Sequence, residues 1–172
     1  ELLKKFIIRA EKLFGVKIKF IKSDVGGEYI VKELLNWLKQ RGIKPLKSET
    51  YNPQQNGVAE RLNRTLLVKA RSMLFAKQLH IKWWAEAVNT ANYLKNISYC
   101  STIKNIPFKL MNDFTPNYDD LRVFGCRCFV KNKGKSRKKL DKQCLEGLFI
   151  GYNYDNGGYK IYIPSSKRVV YS

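Results

Sequence analysis

IKFIKSDVGGEY, at residues 18–29, places the apolar residues Ile18, Phe20 and Ile21 shortly before an aspartate, Asp24, and a glycine pair. A helix is predicted ahead of this run over residues 2–14, where apolar side chains recur at helical spacing. A second helix is predicted around residues 30–38, and residues 43–46 form a second brief strand. The order helix, strand, helix, strand is typical of an α/β layer with parallel strands.

The middle of the chain is predicted to be helical and its last part to be β-structure. A polar loop, KSETYNPQQNG at residues 47–57, precedes a long helix to about residue 79 and an aromatic-rich helix over roughly 82–97. Later, short apolar runs alternate with turn residues, which is typical of four or five strands in a small barrel. We therefore predict a first domain over residues 1–111, a linker over 112–120 and an all-β domain over 121–172.

The charge balance of the chain indicates a polyanionic partner. Its 172 residues include 33 lysines and arginines against 14 acidic residues, a formal net charge of +19. This excess is too large for an ordinary solvated surface and favours nucleic acid, with an anionic membrane surface a distant second. The sequence contains no apolar run of about 18 residues, so it predicts no membrane span. Between the two polyanions we expect nucleic acid as the partner and no membrane.

The four cysteines do not follow a zinc-binding pattern. They include a single CxC pair, and the sole histidine, His80, lies in a different segment. Zinc sites usually combine two Cys/His pairs at short spacing. We therefore expect reduced thiols with a structural role, as in proteins of a reducing compartment.

Asp24 and Glu60 are the candidate catalytic carboxylates. Asp24 follows a predicted strand, and Glu60 opens the long helix after an interval of 35 residues. Carboxylates in such positions can converge on two Mg²⁺ or Mn²⁺ ions, which prefer oxygen ligands and lie about 3.5–4 Å apart in phosphoryl-transfer sites. The spacing alone is weak evidence, because 14 acidic residues offer many pairs. A turn aspartate and a helix-start glutamate are also an ordinary structural arrangement.

The sequence around these two acids resembles the integrase of copia-type LTR retrotransposons. The resemblance runs from about residue 14 to the C-terminus and is carried by residues 18–29, YNPQQNGVAERLNRTLLVKARSML at 51–74, WWAEAVNTANYL at 83–94, LRVFGCRCFV at 121–130 and KKLDKQCLEGLFIGY at 138–152. It implies an α/β ribonuclease H-like integrase core, with a mixed sheet and helices, followed by a small all-β SH3-like barrel. Asp24 and Glu60 match the second and third members of a D,D-35-E triad, which holds two Mg²⁺ (or Mn²⁺) ions.

The first aspartate of that triad has no match in this chain. The resemblance places it on the opening strand of the fold, upstream of residue 1, so we expect an N-terminally truncated core that is inactive alone. Smaller departures are Val25, where the family usually has asparagine, and the pairs Glu49-Thr50 and Leu110-Met111. These departures fit a decaying or domesticated copy as well as an active one.

Three groups of side chains are predicted to contact DNA: a polar loop resembling the mobile active-site loop, arginines on the helix of Glu60, and a lysine-rich turn between strands. An ordinary solvated surface is the alternative for each group. Trp83 and Trp84 are predicted to pack in a core or an oligomer contact rather than to stack on bases. The predicted DNA contacts are Gln54, Gln55 and Asn56 in the loop, Arg61, Arg64 and Arg71 on the helix, and Lys131, Lys133, Lys135, Arg137, Lys138 and Lys139 in the turn.

The resemblance implies DNA integration by a Pol polyprotein: metal-dependent 3′-end processing, then strand transfer. Its implied partners are element ends, target DNA and, in the full-length parent, further copies in a homo-oligomer. The implied location is the nucleus, which the protein enters after it has been part of a cytoplasmic particle. The alternative is a catalytically dead or domesticated DNA-binding remnant. A basic RNA- or ribosome-associated protein is a third possibility, against which the motifs argue. An aspartate on a strand upstream of Asp24 in the parent reading frame would distinguish the first two.

Overall fold

The computed structural model describes residues 1–23, 32–47, 57–132, 142–153 and 157–172. The chain divides into two compact units, Glu1–Leu62 and Asn63–Ser172, and the division falls inside one long helix. The predicted domain boundaries at residues 111 and 121 stay a prediction. Among the described residues, no helix has the length and apolar character that crossing a membrane requires.

The N-terminal unit is a small α/β layer. Its two strands pair in parallel, with Phe20 opposite Lys44 and Ser23 opposite Lys47. The predicted alternation of helix and strand and the predicted parallel pairing are therefore confirmed. The elements are α1 (Leu2–Phe14), β1 (Phe20–Ser23), α2 (Lys32–Gln40), β2 (Lys44–Lys47) and the start of α3 (Gly57–Ala76).

Burial of three apolar side chains holds the N-terminal unit together. Ile7 of α1, Leu38 of α2 and Ile43 before β2 form its buried core. Glu11 adds a polar link, since its carboxylate accepts a hydrogen bond from the backbone N–H of Ile18 at 3.0 Å and pairs with Arg41. These two donors hold the pKa of the Glu11 carboxyl below its ordinary value. The segment that leads into β1 is thereby fixed against α1.

The C-terminal unit combines helices with an antiparallel sheet. The sheet has four strands in the order β3-β4-β5-β6, each paired with its neighbour in the chain. The elements after α3 are a 3-10 turn (Ile81–Trp83), α4 (Trp84–Ile97), α5 (Pro107–Asn112), β3 (Arg127–Lys131), β4 (Cys144–Tyr152), β5 (Tyr159–Ile163) and β6 (Arg168–Tyr171).

The core of the C-terminal unit lies between its helices and its sheet. Buried residues of α3 and α4 pack with Phe124 and with Ile150 of β4. Trp83 packs against this core and its ring lies 4.7 Å from that of Tyr162, whereas Trp84 is 56% exposed. Lys160 of β5 pairs with Glu86 of α4 at 2.7 Å, which adds an electrostatic link between sheet and helix.

Two glycines shape the sheet. A Cβ at Gly147 of β4 would lie 2.4 Å from Ile161 Cγ2 of β5, so the Ile161 side chain can pack over this position because it has no side chain. Gly125 has φ +75, which is incompatible with an extended strand. The predicted strand over residues 121–130 therefore begins only at Arg127. The residues before it turn so that Phe124 is buried in the core.

Candidate active site and nucleic-acid interface

Glu60 lies in the first turn of α3, as predicted. It is exposed, and the partial positive charge of a helix N-terminus favours a carboxylate there. Arg61 reaches back to the same end of the helix, since a Cβ at Gly57 would lie 3.8 Å from Arg61 Nη2. A carboxylate oxygen is the ligand type that Mg²⁺ prefers, so Glu60 fits a metal-binding role by its chemistry.

Asp24 lies outside the described residues, directly after Ser23 at the end of β1. Its distance from Glu60 is therefore not given by the structure, and their convergence stays a prediction. The described part of the chain contains no group of three or more His, Cys, Asp or Glu residues that could hold a metal ion. Glu60 is thus the one predicted metal ligand whose position the structure describes.

The predicted helix arginines all lie on α3. Arg61, Arg64 and Arg71 are exposed, so each can reach a phosphate. Arg71 also borders an apolar groove of about 790 Å³ in the C-terminal unit. That groove is lined by residues of α3 and α4 that include Leu67, Phe75 and Trp84, which are more than half exposed. Sequence periodicity did not predict this groove, because it does not reveal which apolar side chains lack a neighbour.

Most of the other predicted DNA contacts lie outside the described residues. In the lysine-rich turn, only Lys131 is described; it ends β3 and is exposed. Contact of the loop and turn residues with DNA stays a prediction. Outside the described residues are Gln54, Gln55 and Asn56 of the polar loop, Lys133, Lys135, Arg137, Lys138 and Lys139 of the turn, and the departures Val25, Glu49 and Thr50.

The outer face of β3 is a feature that sequence reasoning missed. Every second side chain of this strand is exposed, and these are Arg127, Phe129 and Lys131. Phe129 is 63% exposed. The Arg127 guanidinium pairs with Glu146 of β4 at 2.7 Å and lies 5.1 Å from the centre of the Phe129 ring. The pattern of cation, aromatic and cation at every second residue was a visible signal, but an apolar residue in a strand is more often buried.

The cysteines are free thiols. Cys126 and Cys128 flank Arg127, and Cys144 begins β4. Burial raises the pKa of the Cys128 thiol, and the neighbouring Cys126 adds to the effect. Cys128 is therefore kept in its protonated, less reactive form.

Known proteins share sequence with the whole of this chain. A family model described as "Retroviral polymerase SH3-like domain" matches residues 126–172. The chain is 39% identical over its full length to the retrovirus-related Pol polyprotein from transposon TNT 1-94 of Nicotiana tabacum, of which it spans 13%. It is 31% identical, over 87% of its length, to that from transposon RE1 of Arabidopsis thaliana, of which it spans 10%.

A solved structure shares the fold. The chain aligns over 98% of its length with a chain in the structure of the simian T-cell lymphotropic virus intasome in complex with PP2A regulatory subunit B56 gamma, covering 64% of that chain. The TM-score is 0.51 and the sequence identity is 16%, so this likeness concerns the fold alone.

Proposed function

Because the homologues of this chain are retrovirus-related Pol polyproteins of copia-type transposons, we propose that it is the part of an integrase that binds DNA and carries two catalytic carboxylates. The predicted family is confirmed by these homologues. The predicted fold class is confirmed as well: helices and sheets of an integrase core precede an antiparallel SH3-like domain. The chain spans only 13% of its tobacco relative, so the activity of the whole protein is part of the proposal.

One observation carries the proposal: Glu60 is exposed in the first turn of α3, within a chain that matches a transposon Pol polyprotein along its full length. We assign Asp24 and Glu60 as oxygen ligands of the metal site. Two divalent ions bound there would activate the attacking oxygen and stabilise the leaving one. Arg61, Arg64 and Arg71 would hold the phosphates of the DNA strand beside these carboxylates. Gln54, Gln55 and Asn56 would donate hydrogen bonds to the DNA ends.

The proposed reaction belongs to the longer protein. In the first step water cleaves the element DNA near its 3′ end, and in the second the exposed 3′-OH attacks a phosphodiester of target DNA and displaces its 3′ oxygen. Two carboxylates are too few to hold two ions in register, so we expect residues 1–172 alone to be inactive. Homo-oligomerisation and action in the nucleus are part of the same proposal.

A DNA-binding remnant without catalytic activity is the second candidate. The net charge of +19 agrees with it, because this charge supports binding to DNA whether or not metal ions are held. Both candidates predict DNA binding, and they differ in strand transfer by the longer protein.

The lysine-rich turn is expected to supply much of the DNA affinity. Replacing Lys131, Lys133, Lys135, Arg137, Lys138 and Lys139 together by glutamine should make the affinity for duplex DNA less dependent on salt. Each lost phosphate contact should lower the slope of log K against log salt by about 0.9. Titration of a labelled duplex by fluorescence anisotropy at several salt concentrations measures this slope.

A matched control removes as many charges from the N-terminal unit, by replacing the exposed Lys5, Lys12, Lys17, Lys19, Lys39 and Lys44 with glutamine. This control should change the slope less than the substitutions in the turn. An unchanged slope after substitution of the turn would mean that its lysines are merely solvated.

A further inference from the structure

The exposed face of β3 combines an aromatic ring with positive charge. Side chains two residues apart on a strand point to the same side, so Arg127, Phe129 and Lys131 share one face. β3 is an edge strand of the four-stranded sheet, and Phe129 leaves 63% of its surface accessible. The ring of Phe129 is therefore exposed on a sheet face between two cations of its own strand.

The charges around Phe129 favour an anionic ligand. Glu146 lies opposite Phe129 across the strand pair, and its carboxylate is neutralised by Arg127 through contacts of 2.7 and 3.0 Å. Lys131 ends the same strand face, and Lys142 lines the same open cavity as Phe129. The one acidic side chain of this face is therefore paired within the described residues, and two lysines add net positive charge.

The space beside the ring is large enough for a nucleobase. An open cavity of about 700 Å³ lies along this face, and its lining includes Phe129, Arg127, Lys142 and Pro164. An aromatic ring stacks on any base, because every base has a π face, and neighbouring cations hold the phosphates. In a duplex the base faces are covered by their neighbours, so a ring on a sheet reaches unpaired bases only.

We propose that this face binds single-stranded nucleic acid, with an unpaired base stacked on Phe129 and backbone phosphates held by Lys131 and Lys142. The site goes beyond the proposed function, since it requires neither Asp24 nor Glu60 and selects unpaired rather than duplex DNA. An apolar protein partner is disfavoured by charge, because the charged neighbours of Phe129 in this cavity are two cations and one paired acid. The Arg127 guanidinium lies over the Phe129 ring, 5.1 Å from its centre, so the base would stack on the other face of the ring.

Phe129→Leu tests the stacking directly, because it keeps an apolar side chain and removes the ring. Fluorescence anisotropy with residues 1–172 would compare a labelled oligothymidylate with a duplex of the same length. We expect the affinity for the single strand to fall about 10-fold, and the affinity for the duplex to stay within about twofold. Phe129→Tyr keeps the ring and should bind both as the unsubstituted protein does. Phe75→Leu is the matched control, since Phe75 is 75% exposed on α3 and should leave single-strand binding unchanged.

A second measurement locates the base. An oligonucleotide carrying 5-iodouracil should cross-link on irradiation to Phe129, as identified by mass spectrometry of the digested complex. Cross-links only at other residues overturn the proposal. Unchanged affinity of the Phe129→Leu variant for the single strand also overturns it, and this result is expected if a protein occupies this face. An equal loss of single-strand and duplex affinity also overturns it. The duplex titration of the unsubstituted protein tests the proposed function separately. Failure of the single-strand site is therefore distinguishable from failure of the proposed function.

Discussion

Glu60→Gln is expected to abolish strand transfer by a longer Pol segment that contains this chain, with a rate loss greater than about 100-fold. Loss of a residue that only orients a metal ligand costs about 10- to 100-fold, and loss of a direct ligand should cost at least as much. Asp24→Asn should have the same effect. The assay follows labelled duplex ends of the element in Mg²⁺ and separates processed and joined products on a sequencing gel.

Glu33→Gln is the matched control for this substitution. Glu33 also lies in the first turn of a helix, α2, and its side chain is 80% exposed, but its carboxylate pairs with Lys4. The control should retain strand transfer. Undiminished activity of the Glu60 variant would contradict the assignment of Glu60, and Mg²⁺-dependent strand transfer by residues 1–172 alone would contradict the expected need for a third carboxylate. A longer protein that binds DNA and transfers no strands would favour the DNA-binding remnant.

Phe149→Ala is expected to lower the free energy of unfolding of the C-terminal unit by about 3–5 kcal/mol. Phe149 is 2% exposed, and its ring meets those of Tyr152 and Tyr159 edge-on at centroid distances of 5.1 and 5.7 Å. Truncation would remove these contacts and leave a cavity under β4. Urea unfolding followed by tryptophan fluorescence measures the change, with Trp37 replaced by phenylalanine so that Trp83 and Trp84 report on this unit.

Phe129→Ala provides the comparison on the same sheet. Because Phe129 is 63% exposed, its truncation should change the free energy of unfolding by no more than about 0.5 kcal/mol. Equal losses for the two phenylalanines would contradict the core described for this unit.

Most elements of the fold follow from local patterns in the sequence. α1, α3 and α4 are long enough for apolar periodicity to reveal them, and a left-handed glycine, Gly15, ends α1. α5 has only six residues, too few for a periodic signal, and was not predicted. The late start of β3 depends on Gly125 and on the burial of Phe124, which are tertiary features.

The candidate site was predictable to a smaller degree. The position of Glu60 at a helix start follows from the polar loop and glycine before it, which are local signals. Its predicted approach to Asp24 would join two segments that are distant in sequence, and spacing does not determine such a contact. The exposure of Phe129 was not predicted for a related reason. The face that a strand buries is decided by the elements that pack on it.

The shared metal site of Asp24 and Glu60 is the central claim, and diffraction from crystals of residues 1–172 soaked in Mn²⁺ tests it most directly. We predict an anomalous peak within coordination distance of carboxylate oxygens of both residues, at less than full two-ion occupancy because Asp24 and Glu60 supply only two carboxylates. The claim would be contradicted if both carboxylates are ordered, lie more than about 10 Å apart and have no peak between them. Ions spaced as in two-metal sites could not span that distance.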